Sequence, residues 1–357
     1  MDTKKALIAM SGGVDSAVAA LLLKRQGYDL GGITMKLWSD SETVHDEQDT
    51  SADENITEAK KIASVLGIPH FSVALGDTFR QNVIDRFIDD YMNGKTPNPC
   101  VECNKALKFG RLFDEAERLG YPLLATGHYA IIKKDSDGKH HLKKAVDQSK
   151  DQSYFLWSIK KENLNRILFP LGEFTKAEIR ELAAQNNFSN AHRSDSQDIC
   201  FIPDGDYVSF IDKNTHASFP KGNFIDNNGQ VLGTHEGIIR YTIGQRKGLG
   251  IAVGYPIFVG EKNISSNTVT LCSDRELYKK ELFASSVNLI DCDSIDSPMR
   301  LMAKIRYRHA PALATVSMTD TGRLHVLFDE PQRAIAPGQS VVLYDGDTVV
   351  GGGIIDP

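Results

Sequence analysis

An apolar run, Ala6-Leu7-Ile8-Ala9-Met10, leads directly into Ser11-Gly12-Gly13-Val14-Asp15-Ser16 and then into Ala17-Val18-Ala19-Ala20-Leu21-Leu22-Leu23. This order reads as a strand, a tight Gly-Gly loop and an amphipathic helix, which commits the start of the chain to an α/β unit. Such a loop aims backbone N–H groups and a helix N-terminus at one point, and its glycines let a phosphate approach the backbone. Ser11 and Ser16 add hydroxyl donors, and Asp15 stands where a carboxylate can hold Mg²⁺. The run lacks the Lys-Ser/Thr ending of a Walker A loop, so the γ-phosphate cradle of a kinase or GTPase is not indicated. A chance solvent turn is the competing reading, and the strand–loop–helix context argues against it.

Strand and helix signals continue to alternate. Leu30–Leu37 reads as a strand, Asn55–Leu66 as a helix and Pro69–Val73 as a strand. Helices are predicted over Thr78–Met92 and Lys105–Leu119, and a strand near Pro122–Ala125. The alternation implies a Rossmann-like parallel sheet covered by helices, with ligands at the carboxyl ends of its strands. Tyr129–Ala145 reads as an inserted hairpin turning at Asp137-Gly138. Helical periodicity returns at Ser153–Leu168 and at Thr175–Asn186, the latter opened by a Thr175/Glu178 capping box. After about Asp204 short β-branched runs such as 238–241 and 257–259 take over, and the spacing of strands beyond Glu281 predicts a small barrel. The expected domains are therefore 1–205 (α/β), 206–278 (small, β-rich) and 279–357 (β-barrel).

The net charge of −6 hides an uneven distribution. Segment 39–59 holds eight acidic residues and no Lys or Arg, which leaves the rest of the chain at +2. That segment reads as a mobile surface loop. Basic clusters then stand out at Lys133, Lys134, Lys139, Lys143, Lys144 and Lys150, and at Arg300, Lys304, Arg306 and Arg308. They either meet phosphates or form a solvated face. No run approaches the ~20 apolar residues of a membrane span, and no secretory signal is visible, so a cytoplasmic protein is expected. Five cysteines, an odd number, fit a reducing compartment and point to chemistry over disulfide stapling.

Two of these cysteines lie in Thr96-Pro97-Asn98-Pro99-Cys100-Val101-Glu102-Cys103, where a C-x-x-C pair opens a helix whose N-terminus would lower a thiol pKa. No second C-x-x-C or Cys/His pair completes a zinc tetrad. Cys200 follows the polar run Ser194–Ile199. Cys272 and Cys292 have no reactive neighbour in sequence and read as small buried hydrophobes.

The loop at 11–16 resembles the pyrophosphate loop of ATP pyrophosphatases, which split ATP between its α and β phosphates and adenylate a substrate oxygen. With the cysteines added, the sequence is similar to the tRNA-specific 2-thiouridylase family. The match runs nearly end to end: Met10–Ser16, Met35, Asn98–Phe109, Ala125–Tyr129, Lys150–Leu156, Asp195–Ile202, Tyr241–Gly250, Lys304–Arg308 and Phe328–Gln339. The resemblance implies ATP- and Mg²⁺-dependent thiolation of the wobble uridine in tRNAs for Lys, Glu and Gln. Sulfur would come from a cysteine desulfurase or a relay protein. It places the catalytic nucleophile at Cys103 and the persulfide carrier at Cys200. ATP contacts fall on Ala9, Met10, Ser11, Gly12, Gly13, Val14, Asp15, Ser16, Met35 and Gly127, and the target base on Asn98, Pro99 and Cys100. Contacts to tRNA fall on His128, Lys150, Asp151, Gln152, Arg306, Tyr307 and Gln339.

The chain departs from the family at Cys100, where many members carry an aspartate, so a carboxylate base is not available there. Cys100, Cys103 and Cys200 offer instead three ligands for a [4Fe–4S] cluster, against a persulfide route that needs only Cys103 and Cys200. Two rivals remain outside thiolation: an amidating or ligase-type ATP pyrophosphatase acting on a small metabolite, and a tRNA-binding protein with a vestigial loop.

Overall fold

The computed structural model describes residues 4–37, 51–190, 199–215, 217 and 219–357, with backbone only at 51–53. The first sheet is parallel. It contains β1 (Lys5–Ala9), β2 (Asp29–Lys36), β3 (His70–Ala74), β4 (Leu123–Ala125) and, beyond a hairpin of β5 (Ile131–Lys134) and β6 (His140–Lys143), β7 (Ile167–Leu168). The strand order is β3-β2-β1-β4-β7. Ala6, Leu7 and Ile8 are wholly buried, as expected for a central strand covered on both faces. Helices α1 (Val14–Arg25) and α2 (Ser51–Leu66) cover one face together with a later helix at Lys176–Gln185. The other face is covered through Val101, Phe109, Leu112 and Phe113. The chain runs outward from β1 through β2 and β3, then returns to place β4 on the opposite side. That reversal opens a crevice at the carboxyl ends of β1 and β4.

Two helices in this unit carry π turns. Helix α3 joins Gly76–Phe79, Arg80–Ile84 and Asp85–Met92, and α4 joins Pro99–Cys103, Asn104–Arg111 and Leu112–Arg118, the middle segment being π in each. Helix α4 begins six residues before its predicted start, because Pro99 fits the first helical position, where its missing N–H costs nothing. Helix α2 likewise begins at Ser51 within the acidic segment expected to be a loop, while residues 39–50 lie outside the described residues.

The helix expected over Ser153–Leu168 is absent. Two short 3-10 turns, Ser153–Phe155 and Lys161–Arg166, stand there instead. The carbonyls a helix would use internally are taken by other elements: Asn104 Nδ2 donates to Phe155 O, and Asn288 Nδ2 to both Trp157 O and Ile159 O. The apolar periodicity had a different origin, since Tyr154, Leu156, Trp157, Ile159 and Leu164 are all buried between the sheet and the barrel. By contrast α5 (Lys176–Gln185) forms with the reciprocal Thr175/Glu178 capping box in place.

Helix α6 (Tyr207–Asn214) leads into a second sheet of β8 (Gly222–Ile225), β9 (Val231–His235), β10 (Phe258–Asn263) and β11 (Thr268–Cys272), ordered β10-β11-β8-β9. Residues 238–240, read as part of a β-branched run, form a 3-10 turn entered through Gly237 at φ +110°. This sheet shares a core with α3. A third sheet contains β12 (Tyr278–Leu289), β13 (Met299–Lys304), β14 (Ala312–Met318), β15 (Leu324–Arg333), β16 (Ser340–Asp345) and β17 (Thr348–Ile355). Their order β12-β15-β14-β13-β16-β17 closes through β12–β17 pairing into a barrel. The hairpin joins this sheet from outside, with Lys143 of β6 opposite Thr348 of β17. The glycine-rich ending has a packing cause: a Cβ at Gly352 would lie 2.9 Å from the Trp157 ring.

Candidate active site

The Ser11–Ser16 loop leaves the carboxyl end of β1 and wraps on itself. Ser16 Oγ donates to Gly13 O (3.0 Å) and accepts from Ser11 N (3.2 Å). Gly12 takes φ +73°, and a Cβ there would strike Asn55 O at 2.7 Å. Asn190 Nδ2 holds the Gly12 carbonyl at 2.8 Å. Gly13 caps α1 without any side-chain hydrogen bond, which leaves the first N–H groups of the helix turned to an incoming anion. Gly127, just beyond β4, presses on the loop: a Cβ would lie 2.9 Å from both Asp15 C and Ser16 N.

Asp15 has partners of its own. Lys176, 8% exposed at the first position of α5, reaches both carboxylate oxygens at 2.8 and 2.9 Å, and Tyr129 Oη donates at 2.8 Å. The loop therefore gains the lysine that its sequence lacks from a distant helix. Only the Thr175 capping box marked that position in the sequence. Asp15 Oδ1 thus meets both Lys176 and Tyr129, while Oδ2 meets Lys176.

One residue on from the loop contact begins the surroundings of the thiols. His128 follows Gly127, is 8% exposed, and rests between the Phe109 and Phe169 rings at 5.9 and 5.8 Å. Its Nδ1 lies 2.6 Å from Thr126 Oγ1 and its Nε2 3.4 Å from Lys108 Nζ. Burial, reinforced by Lys108, holds its pKa well below the ordinary 6.5. The imidazole is therefore neutral, with Nε2 accepting from the ammonium and Nδ1–H left for Thr126.

Cys103 ends the first segment of α4 and is half-buried, whereas Cys100 and Cys200 are open to solvent. All three are nevertheless so surrounded by protein that burial pushes their thiols up, that of Cys200 to about 12, with Lys108 pulling each back down. The expectation that the helix N-terminus lowers a thiol pKa is thus corrected, because enclosure outweighs it. Cys200 feels both Cys103 and Cys100, so the three sulfurs share one electrostatic neighbourhood although 97 to 100 positions separate the two segments in sequence. Phe201 fixes Cys200 there through edge contacts with Phe79 (5.7 Å) and Phe87 (5.3 Å) of α3. Residues 194–198 of the same motif lie outside the described residues. All five cysteines are free. Cys272 is buried as expected, and Cys292 only half-buried. Among the described residues no three His, Cys, Asp or Glu side chains gather as a metal-binding group.

The expected base- and tRNA-contacting residues divide into two groups. Asn98 precedes the buried Pro99 without capping the helix, and Cys100 faces out beside it. Gln339 crosses from the barrel to donate to Thr96 O at 2.8 Å, so the barrel touches the approach to the cysteine helix. Tyr307 packs on Phe155 (4.5 Å) beneath Lys304, and Arg306 bonds the carbonyls of Ile243 and Ala334, locking the central sheet to the barrel. Lys150 and Gln152 are half-buried. Asp151 and His128 face inward. Asp151 is 5% exposed, with its carboxylate taken by Ala145 N, Ser153 N and Ser153 Oγ, so neither residue presents its side chain to a polyanion in this arrangement.

A Rossmann-like phosphate-loop domain, a small four-stranded β unit and a closed barrel define a three-part protein of the HUP class. Residues 4–204 match the family described as tRNA methyl transferase HUP domain, 208–273 its PRC-barrel domain and 279–355 the aminomethyltransferase beta-barrel domain. The tRNA-specific 2-thiouridylase MnmA of Clostridioides difficile is 47% identical over 354 residues, 99% of this chain and 98% of the relative. That of Acetivibrio thermocellus is 47% identical over 358 residues, 99% and 100% of the two chains. The chain belongs to the tRNA-specific 2-thiouridylase family. Among solved structures, a 4-thiouridine synthetase–RNA complex with bound ATP is 20% identical over 59% of this chain and 50% of that one, at a TM-score of 0.37, too distant to bear on the site.

Proposed function

We propose that the protein is an ATP-dependent tRNA-uridine 2-sulfurtransferase acting on the wobble uridine of tRNAs for Lys, Glu and Gln. The observation that carries this reading is contiguity: Gly127 touches the phosphate loop and His128, the next residue, touches the lysine that acts on the thiols. A site that both activates an oxygen with a nucleotide and replaces it with sulfur needs those two parts side by side. Methyl transfer, the activity named in the HUP-domain description, calls for neither a pyrophosphate loop nor paired thiols.

In this reading Ala9–Ser16 and Gly127 receive the ATP phosphates and Met35 borders the nucleotide. The uridine C2 oxygen is a poor leaving group, and adenylation converts it into AMP with release of pyrophosphate. Loop N–H groups and the α1 N-terminus take up the developing charge. The wobble base is turned out of the anticodon stack toward Asn98, Pro99 and Cys100. The terminal sulfur of a Cys200 persulfide attacks C2 and expels AMP, leaving C2 joined to Cys200 through two sulfurs. Cys103 thiolate then attacks the Cys200 sulfur and releases the thiocarbonyl. The resulting Cys103–Cys200 disulfide takes two electrons from a dithiol reductant before the next turnover.

The catalytic unit is 1–205, followed by units 206–278 and 279–357, and the tRNA surface is shared between Lys150 and Gln152 of the first unit and Arg306, Tyr307 and Gln339 of the last. Sulfane sulfur comes from a cysteine desulfurase or relay protein, and the location is the cytoplasm. Among the described residues no helix is long and apolar enough to cross a membrane. The test is thiolation of undermodified tRNA with ATP and a persulfide donor, read by nucleoside mass spectrometry. Cys103→Ala and Cys200→Ala should each bind tRNA normally and yield no 2-thiouridine; product from either variant overturns its assigned role.

A further inference from the structure

The peptide that opens the phosphate loop is held from a strand two places away in the sheet. Thr34 on β2 is 4% exposed, and its hydroxyl donates to Met10 O at 2.8 Å. A hydroxyl has one proton, so toward His70 Nε2, 2.9 Å away at the start of β3, Thr34 Oγ1 can only accept. The imidazole is thereby fixed as the Nε2–H tautomer. Its Nδ1 is buried without a partner among the described residues. Burial, with Lys60 nearby, lowers its pKa, and the ring is neutral at pH 7. Gly32 lies opposite His70 in the sheet and two residues before Thr34, on the same face. It leaves room for the arrangement, because a Cβ there would lie 2.6 Å from Met10 Sδ and 3.3 Å from His70 Cδ2.

Holding the Met10 carbonyl also holds the N–H of Ser11, since the two groups of a trans peptide lie in one plane and point opposite ways. Ser11 N donates to Ser16 Oγ at 3.2 Å, and that hydroxyl donates to Gly13 O at 3.0 Å. One chain of hydrogen bonds therefore runs from His70 through Thr34, the Met10–Ser11 peptide and Ser16 to Gly13, the residue that caps α1. Every donor in it points the same way along the chain, so each bond polarises the next. We propose that His70, acting through Thr34, is a positioning residue for the phosphate loop, setting the peptide plane from which Ser11–Ser16 departs and with it the affinity for a nucleoside triphosphate. This rests on the reading of that loop as the ATP seat. In this role neither side chain touches the nucleotide. A threonine bonded only to satisfy a buried hydroxyl would alter stability on replacement and leave ligand affinity alone.

The experiment is equilibrium dialysis of the full chain against radiolabelled ATP with Mg²⁺, with filter binding of tRNA as the control. Thr34→Val keeps the shape and removes the hydroxyl. It should raise the Kd for ATP about tenfold, the worth of one loop N–H bond to a charged phosphate, and leave the Kd for tRNA in place. Thr34→Ser, which keeps the hydroxyl, should stay near the wild-type value. His70→Phe removes the donor and should weaken ATP binding, whereas His70→Gln, whose amide N–H can take the place of Nε2–H, should restore most of it. An unchanged Kd for ATP in folded Thr34→Val overturns the proposal, and so does an equal rise for ATP and tRNA. Should that variant not fold, His70→Phe and His70→Gln carry the test, and equal ATP affinity in the two overturns the proposal. Wild-type protein that binds no ATP would instead refute the reading of the loop itself.

Discussion

Gly127→Ala probes the junction between the phosphate loop and the thiols with a single methyl group. The new Cβ would sit 2.9 Å from Asp15 C and Ser16 N and 3.1 Å from Ser16 Cα. All three atoms are backbone, at the first turn of α1, so no side chain can swing aside. Reaching ordinary contact at about 3.4 Å requires the loop and β4 to part by about half an ångström, and overpacking of this kind typically costs about 1–3 kcal/mol. The same displacement tilts the α1 N–H groups away from the nucleotide. Since a misplacement of about 1 Å in a reacting constellation can cost on the order of a hundredfold, half of that should cost roughly tenfold in kcat/KM for ATP. Pyrophosphate release across an ATP titration measures the loss, and chemical denaturation measures the stability. Wild-type kcat/KM and stability together would show that the loop does not depend on this contact and would refute the reasoning.

Lys176→Met removes the cation from Asp15, whose side chain is one-third exposed, so stability should fall by only about 1 kcal/mol while ATP use falls much further, as urea unfolding beside pyrophosphate release can show. Two histidines should bend the stability–pH curve in opposite directions. His128 is neutral when folded, so from 6.5 downward the unfolded chain binds a proton that the folded chain does not, and acidification costs stability until the depressed folded value is reached. His141, held by Asp135 and Asp291, has a raised pKa, so its contribution is complete below 6.5 and is lost as pH rises through the folded value. His128→Phe should flatten the first slope and His141→Gln the second in denaturation curves taken at a series of pH values. Lys150→Ala should weaken tRNA binding evenly across sequences and reduce the steepness of its salt dependence by about one ion, measured by filter binding.

Much of this was legible in the residues. The strand–loop–helix at the start, the hairpin at Asp137-Gly138, the Thr175 cap and the closing barrel all rest on local signals of spacing and turn chemistry, and all four formed. Ser153–Leu168 misled because its apolar residues are buried between the sheet and the barrel, with Asn104 and Asn288 claiming the carbonyls from afar. Lys176 and Lys108 carried no local mark of function. One acquires it from α5 lying against the loop, the other from its place beside the buried His128 and the thiols. The thiol electrostatics were also misjudged, since helix position is local and enclosure is not.

The hairpin of β5 and β6 bears on how the chain is made. Its outer edge meets β17, and Trp157 in the same unit bonds to Ser340, 183 residues further on. While the ribosome works through the interval, the first unit holds an unpaired strand edge and a bare indole that nothing yet synthesised can cover. The catalytic sheet thus becomes a finished object only when the barrel does. A truncated product should therefore be a client for chaperones or proteases, and a half-active enzyme should not arise.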